Sequence, residues 1–216
     1  MSDNELEEAN FKVVLIGESG VGKTSIISQF VDQIFEEDLS TSTGGSFSCK
    51  IITLSNGQKI KFEIWDTAGQ ERYRALTKIF YKNAFACILV FDITNKDSFE
   101  QLRNYWIFQI KESAPENIIL AIAANKSDLL DKELVDENEA RKFAQENNAL
   151  FFSTSAKNSV GINELFMGIG KKYYGWDDDI QMDKISEKSD AISALNKTGS
   201  IKLKNKKERE NKKGCC

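Results

Sequence analysis

The chain has 216 residues, 41% of them apolar, and its 29 Lys/Arg against 33 Asp/Glu leave a net charge of −4. That is enough to bury one sizeable core, and the complete lack of histidine excludes Ser-His-Asp and Cys-His catalysis and His-ligated metals. Between Lys197 and Lys213 eight Lys/Arg meet two Glu, so a tail of +6 follows a body of −10, which argues against a nucleic-acid-binding globule and for a soluble domain whose end meets an anionic surface.

Residues 1–9 read as a flexible acidic N-terminus. Asp3, Glu5, Glu7 and Glu8 stand where a secretory signal would be basic, and Ser2 stands where a myristoyl acceptor would be glycine. No apolar run approaches the roughly 20 residues of a membrane span. A cytosolic chain is expected. Phe11–Ile16 is the first apolar run and predicts a buried strand. Directly after it comes Gly17-Glu18-Ser19-Gly20-Val21-Gly22-Lys23-Thr24, which fits G-x-x-x-x-G-K-[ST] between a strand and a helix. Glycines let successive backbone N–H groups converge on phosphate oxygens. The helix expected over Thr24–Asp32 adds the positive end of its dipole. Gly17 through Ser25 is therefore the candidate phosphate cradle, with Lys23 on the terminal phosphates and Thr24 on Mg²⁺.

Ser55-Asn56-Gly57 between Ile51–Leu54 and Lys59–Trp65 predicts a hairpin. Ile60, Phe62 and Ile64 alternate with charges, which puts Trp65 on the face away from the core. It is either a partner surface or covered by the next loop. Asp66-Thr67-Ala68-Gly69-Gln70 follows at a strand's carboxyl end, where phosphates lie in open α/β sheets. There Asp66 can hold a metal-bound water, Ala68 and Gly69 approach a γ-phosphate, and Gln70 orients an attacking water. Phe85–Phe91, Ile118–Ala123 and Ala149–Phe152 predict further strands alternating with helices, an α/β domain. Cys49 and Cys87 lie in strand-like segments and read as small core residues.

Asn125-Lys126-Ser127-Asp128 follows the Ile118–Ala123 run. The Asp128 carboxylate can accept both N–H groups on one edge of guanine, a pair adenine lacks. Asn125 can tie this segment to the phosphate loop, and the Lys126 stem can cover the base. Ser155-Ala156-Lys157 can offer the Ala156 N–H to the guanine oxygen. Asp136, with Glu139 three residues on, predicts a helix N-cap. That helix runs to about Asn147, with Ala140, Phe143 and Ala144 inward. A last helix over Ile162–Tyr174 carries the stripe Leu165, Phe166 and Ile169. Residues 176–216 are too polar to bury a core and read as a disordered tail, with a transient helix allowed near Ile180–Leu195. It ends Lys212-Lys213-Gly214-Cys215-Cys216.

These four motifs, in this order, resemble the Ras superfamily of small GTPases over roughly residues 10–175. Within it the chain resembles a Rab protein through Lys61–Trp65, Arg72–Thr77, Phe80–Ala84 and Leu89–Thr94, with Phe62-Glu63-Ile64-Trp65 leaning toward the early-endosomal subgroup. The resemblance implies a three-layer P-loop domain with a mostly parallel six-stranded sheet and one antiparallel strand. It implies Mg²⁺-dependent hydrolysis of GTP to GDP by a membrane-anchored monomeric switch in vesicle traffic. Phe47, Trp65 and Phe80 become an effector-facing aromatic trio, and Cys215 and Cys216 become geranylgeranyl acceptors. Exchange factor, GTPase-activating protein, GDP-dissociation inhibitor, prenylation machinery and GTP-dependent effectors are the implied partners, on the cytoplasmic face of endosomal or other vesicles.

The first switch departs from the family. Thr41-Ser42-Thr43-Gly44-Gly45-Ser46-Phe47 stands where Ser-Thr-Ile-Gly is usual, so either Ser42 or Thr43 is the Mg²⁺ ligand. Spacing from Lys23 and to Phe47 favours Ser42; counting back from Asp66 favours Thr43. Two other readings remain: a GTP-bound scaffold with negligible hydrolysis, against which Gln70 stands, and an ATP-using P-loop enzyme, against which Asn125 and Asp128 stand.

Overall fold

A computed structural model describes residues 9–37, 45–53, 59–67 and 80–175. Its centre is a six-stranded sheet in the order β2-β3-β1-β4-β5-β6. The strands are β1 (Ala9–Ile16), β2 (Ser46–Thr53), β3 (Lys59–Asp66), β4 (Ala86–Asp92), β5 (Ile119–Asn125) and β6 (Leu150–Ser153). β2 runs antiparallel to β3 and every other pairing is parallel. The helices are α1 (Lys23–Asp32), α2 (Lys96–Gln101), α3 (Ile107–Ser113), α4 (Glu137–Glu146) and α5 (Ile162–Tyr173). A π-helical turn, Leu102–Trp106, joins α2 to α3. The expected architecture is observed, and the expected boundaries hold within two residues except in β2, which begins at Ser46, five residues before Ile51. The Ser55–Gly57 turn lies outside the described residues.

Burial explains the pattern of each strand. All seven residues of β4 are buried, as a central parallel strand covered on both faces requires. In β3 only Ile60, Phe62, Ile64 and Asp66 are buried, the period-two signature of one packed face. Helix ends are fixed locally. Asn95 accepts from the Ser98 N–H at 3.2 Å, and Asp136 from the Glu139 N–H at 3.0 Å, each satisfying an otherwise orphaned donor.

On one side of the sheet, Phe30 of α1 stacks on Phe166 of α5 at 3.7 Å between ring centroids, and Phe62 meets Phe166 edge-on at 5.5 Å. On the other side Phe91, Phe99, Leu102, Trp106 and Ile110 pack with Val14, Ile16 and Leu89. Leu165, Phe166, Ile169, Ala140 and Ala144 are buried as expected, and Phe143 packs half-buried against the second cluster. Cys87 is core, but Cys49 is exposed. The correction has a simple cause: β2 is an edge strand with no fully buried residue.

Register matters for function. Leu15 pairs with both Asp66 and Ile88, and Asp92 pairs with Asn125. The carboxyl ends of β1, β3, β4 and β5 therefore reach one edge together. Phe166 bridges the two elements that flank that edge's supporting core. Phe166→Ala should cost about 3–5 kcal/mol, seen as a fall of roughly 10 °C in thermal midpoint by scanning fluorimetry at saturating nucleotide.

Candidate functional site

The loop after β1 is shaped by backbone geometry that side chains would forbid. At Gly17, with φ +143°, a Cβ would lie 2.2 Å from the Val90 carbonyl oxygen; at Gly22, with φ +96°, it would lie 2.3 Å from Asn125 Nδ2. Both glycines let the loop approach the neighbouring strands closely. Gly22 then caps α1, which has neither a side-chain cap bond nor an acidic residue in its first turn. A helix N-terminus left in that state favours an anion.

Lys23 is 6% exposed, and its Nζ donates to the carbonyls of Gly17 at 3.1 Å and Glu18 at 2.8 Å. Burial pushes its ammonium down to about 8, against the raising influence of the Asp66 and Glu18 carboxylates. A desolvated cation held by two carbonyls is poised to take a stronger anionic partner. The neighbouring Thr24 Oγ1 donates to Asp66 Oδ2 at 2.5 Å, and Asp66 is 1% exposed. A hydroxyl and a carboxylate are hard oxygen donors of the kind Mg²⁺ takes. The donor chemistry fits the expected ion.

The second half of the site is built from β5, β6 and their loops. Asn125 Nδ2 donates to the Val21 carbonyl at 2.8 Å, which ties it to the phosphate loop as expected. Thr154 Oγ1 donates to Asn125 Oδ1 at 3.2 Å, and the Thr154 carbonyl accepts from the Ser127 N–H at 3.0 Å. Ser155 Oγ donates to Asp128 Oδ1 at 2.6 Å and accepts from the Asn158 N–H at 3.1 Å. Two loops 27 residues apart are thus locked around one carboxylate. Lys126 adopts φ +66° and pairs through Nζ with Asp92 Oδ2 at 2.6 Å. The other oxygen, Asp92 Oδ1, accepts from the Thr94 N–H and Oγ1 at 2.8 and 2.7 Å.

The structure thus gathers Gly17–Ser25, Asp66, Asn125, Lys126, Asp128 and Ser155–Lys157 along one edge. Ala68, Gly69, Gln70, Ser42 and Thr43 lie outside the described residues, as do Cys215 and Cys216. Three contributors were not among the expected site residues: Asp92 beneath Lys126, Thr154 behind Asn125, and Glu37, which pairs with Lys157 at 2.5 Å. That pair is exposed, holding the Glu37 carboxyl below its ordinary range and the Lys157 ammonium above its own. Only Asp92 had a trace in the sequence, as a charge ending an otherwise apolar run.

Trp65 packs with two other aromatic rings. Its ring centroid lies 5.2 Å from Phe47 and 5.8 Å from Phe80. It is half-buried rather than exposed, and among the described residues its indole N–H is buried without a hydrogen-bond partner. Phe47 remains 52% exposed.

Two substitutions test this geometry. Asp128→Asn should move preference from guanine toward xanthine nucleotides in a competition assay, because the acceptor pair for the base edge is lost. Asn125→Ala removes the bond to Val21 and strands a buried carbonyl, and should speed GDP release about tenfold or more by stopped flow.

Residues 12–174 match the Ras family. The glycine-rich cradle, the Thr24–Asp66 oxygen pair and the β5–β6 base pocket all fall inside that match, so the chain belongs to the Ras family of small GTPases, which bind GTP and GDP with Mg²⁺ and hydrolyse GTP.

Proposed function

We propose that this GTPase is a membrane-anchored switch of vesicle traffic in the Rab branch of the family, on the endocytic side. The aromatic trio Phe47, Trp65 and Phe80 carries the reading. Three large apolar rings meet across β2, β3 and the segment before β4, beside the edge that holds Asp66. Half-buried aromatic clusters with an exposed edge, here Phe47, serve as anchors for partner proteins. In this reading residues 10–175 form the switch domain, residues 1–9 precede it, and residues 176–216 carry the basic stretch and the lipid acceptors Cys215 and Cys216. Two lipids and a basic stretch together give stable anchoring where one lipid does not. Exchange factor, GTPase-activating protein, GDP-dissociation inhibitor and effectors then act on the cytoplasmic face.

Bound Mg²⁺·GTP supplies an electrophilic γ-phosphorus open to in-line attack by water. The chain's own residues supply the rest. Lys23, which donates to the Gly17 and Glu18 carbonyls, would meet the phosphate charge together with the N–H groups of Gly17–Ser25. Thr24, Asp66 and either Ser42 or Thr43 would hold the metal, Gln70 would orient the water, and Ala68 and Gly69 would serve the γ-phosphate. Asn125, Lys126, Asp128, Ser155, Ala156 and Lys157 hold the base. No arginine in these motifs serves as a finger in cis, so an activating protein should raise the rate by about 10³–10⁵.

Two measurements check the reading. Single-turnover phosphate release should be slow for the isolated protein and fast with an activating domain that supplies an arginine. A tagged Cys215→Ser/Cys216→Ser variant should become diffuse where the parent decorates vesicles; a variant that still labels membranes removes the anchor from the proposal.

A further inference from the structure

The second residue of the phosphate loop is an acid. Glu18 lies next to the place where a polyphosphate binds, and like charges at that distance repel. The structure accounts for this carboxylate. Trp106 Nε1 donates to Glu18 Oε1 at 2.9 Å across 88 residues. Trp106 is 1% exposed and belongs to the core between the sheet and α2–α3. It is the last residue of the π-helical turn, closed by the Ile107 N–H on the Leu102 carbonyl. Such turns insert one extra residue into a helix and often mark functional positions. Glu18 also carries the carbonyl that receives Lys23 Nζ at 2.8 Å.

We infer that Trp106 is a positioning residue for the phosphate loop: its indole N–H holds the Glu18 carboxylate against the core, away from the incoming phosphates. The inference rests on the guanine-nucleotide site and not on the membrane or traffic reading. Its physical content is a charge-assisted hydrogen bond that fixes the direction of one acidic side chain. Without the N–H, Glu18 swings toward the phosphates or leaves the loop backbone unsupported, and nucleotide leaves faster. In the absence of the carboxylate the indole N–H loses its link to the phosphate loop and ceases to matter for the nucleotide.

A double-substitution cycle on the full-length, GDP-loaded protein tests this, reading GDP dissociation and thermal midpoint together. Trp106→Phe should raise the dissociation rate about tenfold. In a Glu18→Ala background the same Trp106→Phe change should alter it by less than about threefold. Equal factors in both backgrounds, accompanied by equal losses of thermal midpoint, would mean that Trp106 only fills the core and would overturn the inference. No effect in either background overturns it too. Should Trp106→Phe fail to fold, site-specific replacement of the Trp106 indole by a benzothiophene keeps the ring shape and deletes only the N–H. That replacement should reproduce the tenfold loss with Glu18 present and lose it with Glu18→Ala; a benzothiophene protein that holds GDP like the parent sinks the proposal.

Discussion

A single hydrogen bond, Asn125 Nδ2 to the Val21 carbonyl at 2.8 Å, joins segments 104 residues apart and sets the geometry of everything else in the site. It reaches Val21 only because Gly22 offers no Cβ, since one there would sit 2.3 Å from that same nitrogen. The bond is possible because β1 and β5 flank β4 in a parallel sheet whose strands end together. Move either strand by one residue and every side chain changes face. The phosphate loop and the base pocket then no longer share an edge.

Around that joint the site stores charge without histidine. Lys23 is buried, held by two carbonyls and flanked by Asp66 and Glu18. Burying a lone ammonium is costly, and the cost is borne in a cradle shaped for an anion. The same logic applies at Asp92, whose buried carboxylate is satisfied on both oxygens by Lys126 and Thr94. Both of these buried charges have specific partners that fix their side chains in place. That is preorganisation in the electrostatic sense.

The outer face of β3 follows a different rule. Lys12 Nζ lies 5.2 Å from the Trp65 ring centroid and donates to the Lys82 carbonyl at 2.8 Å. A cation over an aromatic face contributes about 0.5–1 kcal/mol when partly exposed. It also links β1, β3 and the chain before β4 beneath the aromatic trio. The aromatic cluster is thus braced from β1 and β3, whose carboxyl ends reach the nucleotide site.

The sequence alone determined whatever is local. A strand followed by a glycine-rich loop, an acid after β3 and an Asn-x-x-Asp after β5 are each legible because each motif is one continuous segment at one strand end. Alternation in β3 and the uninterrupted apolar run of β4 revealed which faces are buried. Cys49 was misread because Ser46–Thr53 has no clean alternation, and an edge strand leaves both its faces partly wet. Glu18–Trp106, Asn125–Thr154, Lys126–Asp92 and Lys157–Glu37 were not legible at all. Each joins residues whose separation carries no period, and only the sheet's parallel order and register bring them within hydrogen-bonding distance. Residue types and local spacing specify the chemistry on offer; tertiary packing alone decides which side chains hold one another in place, because those contacts depend on strand order that no single segment encodes.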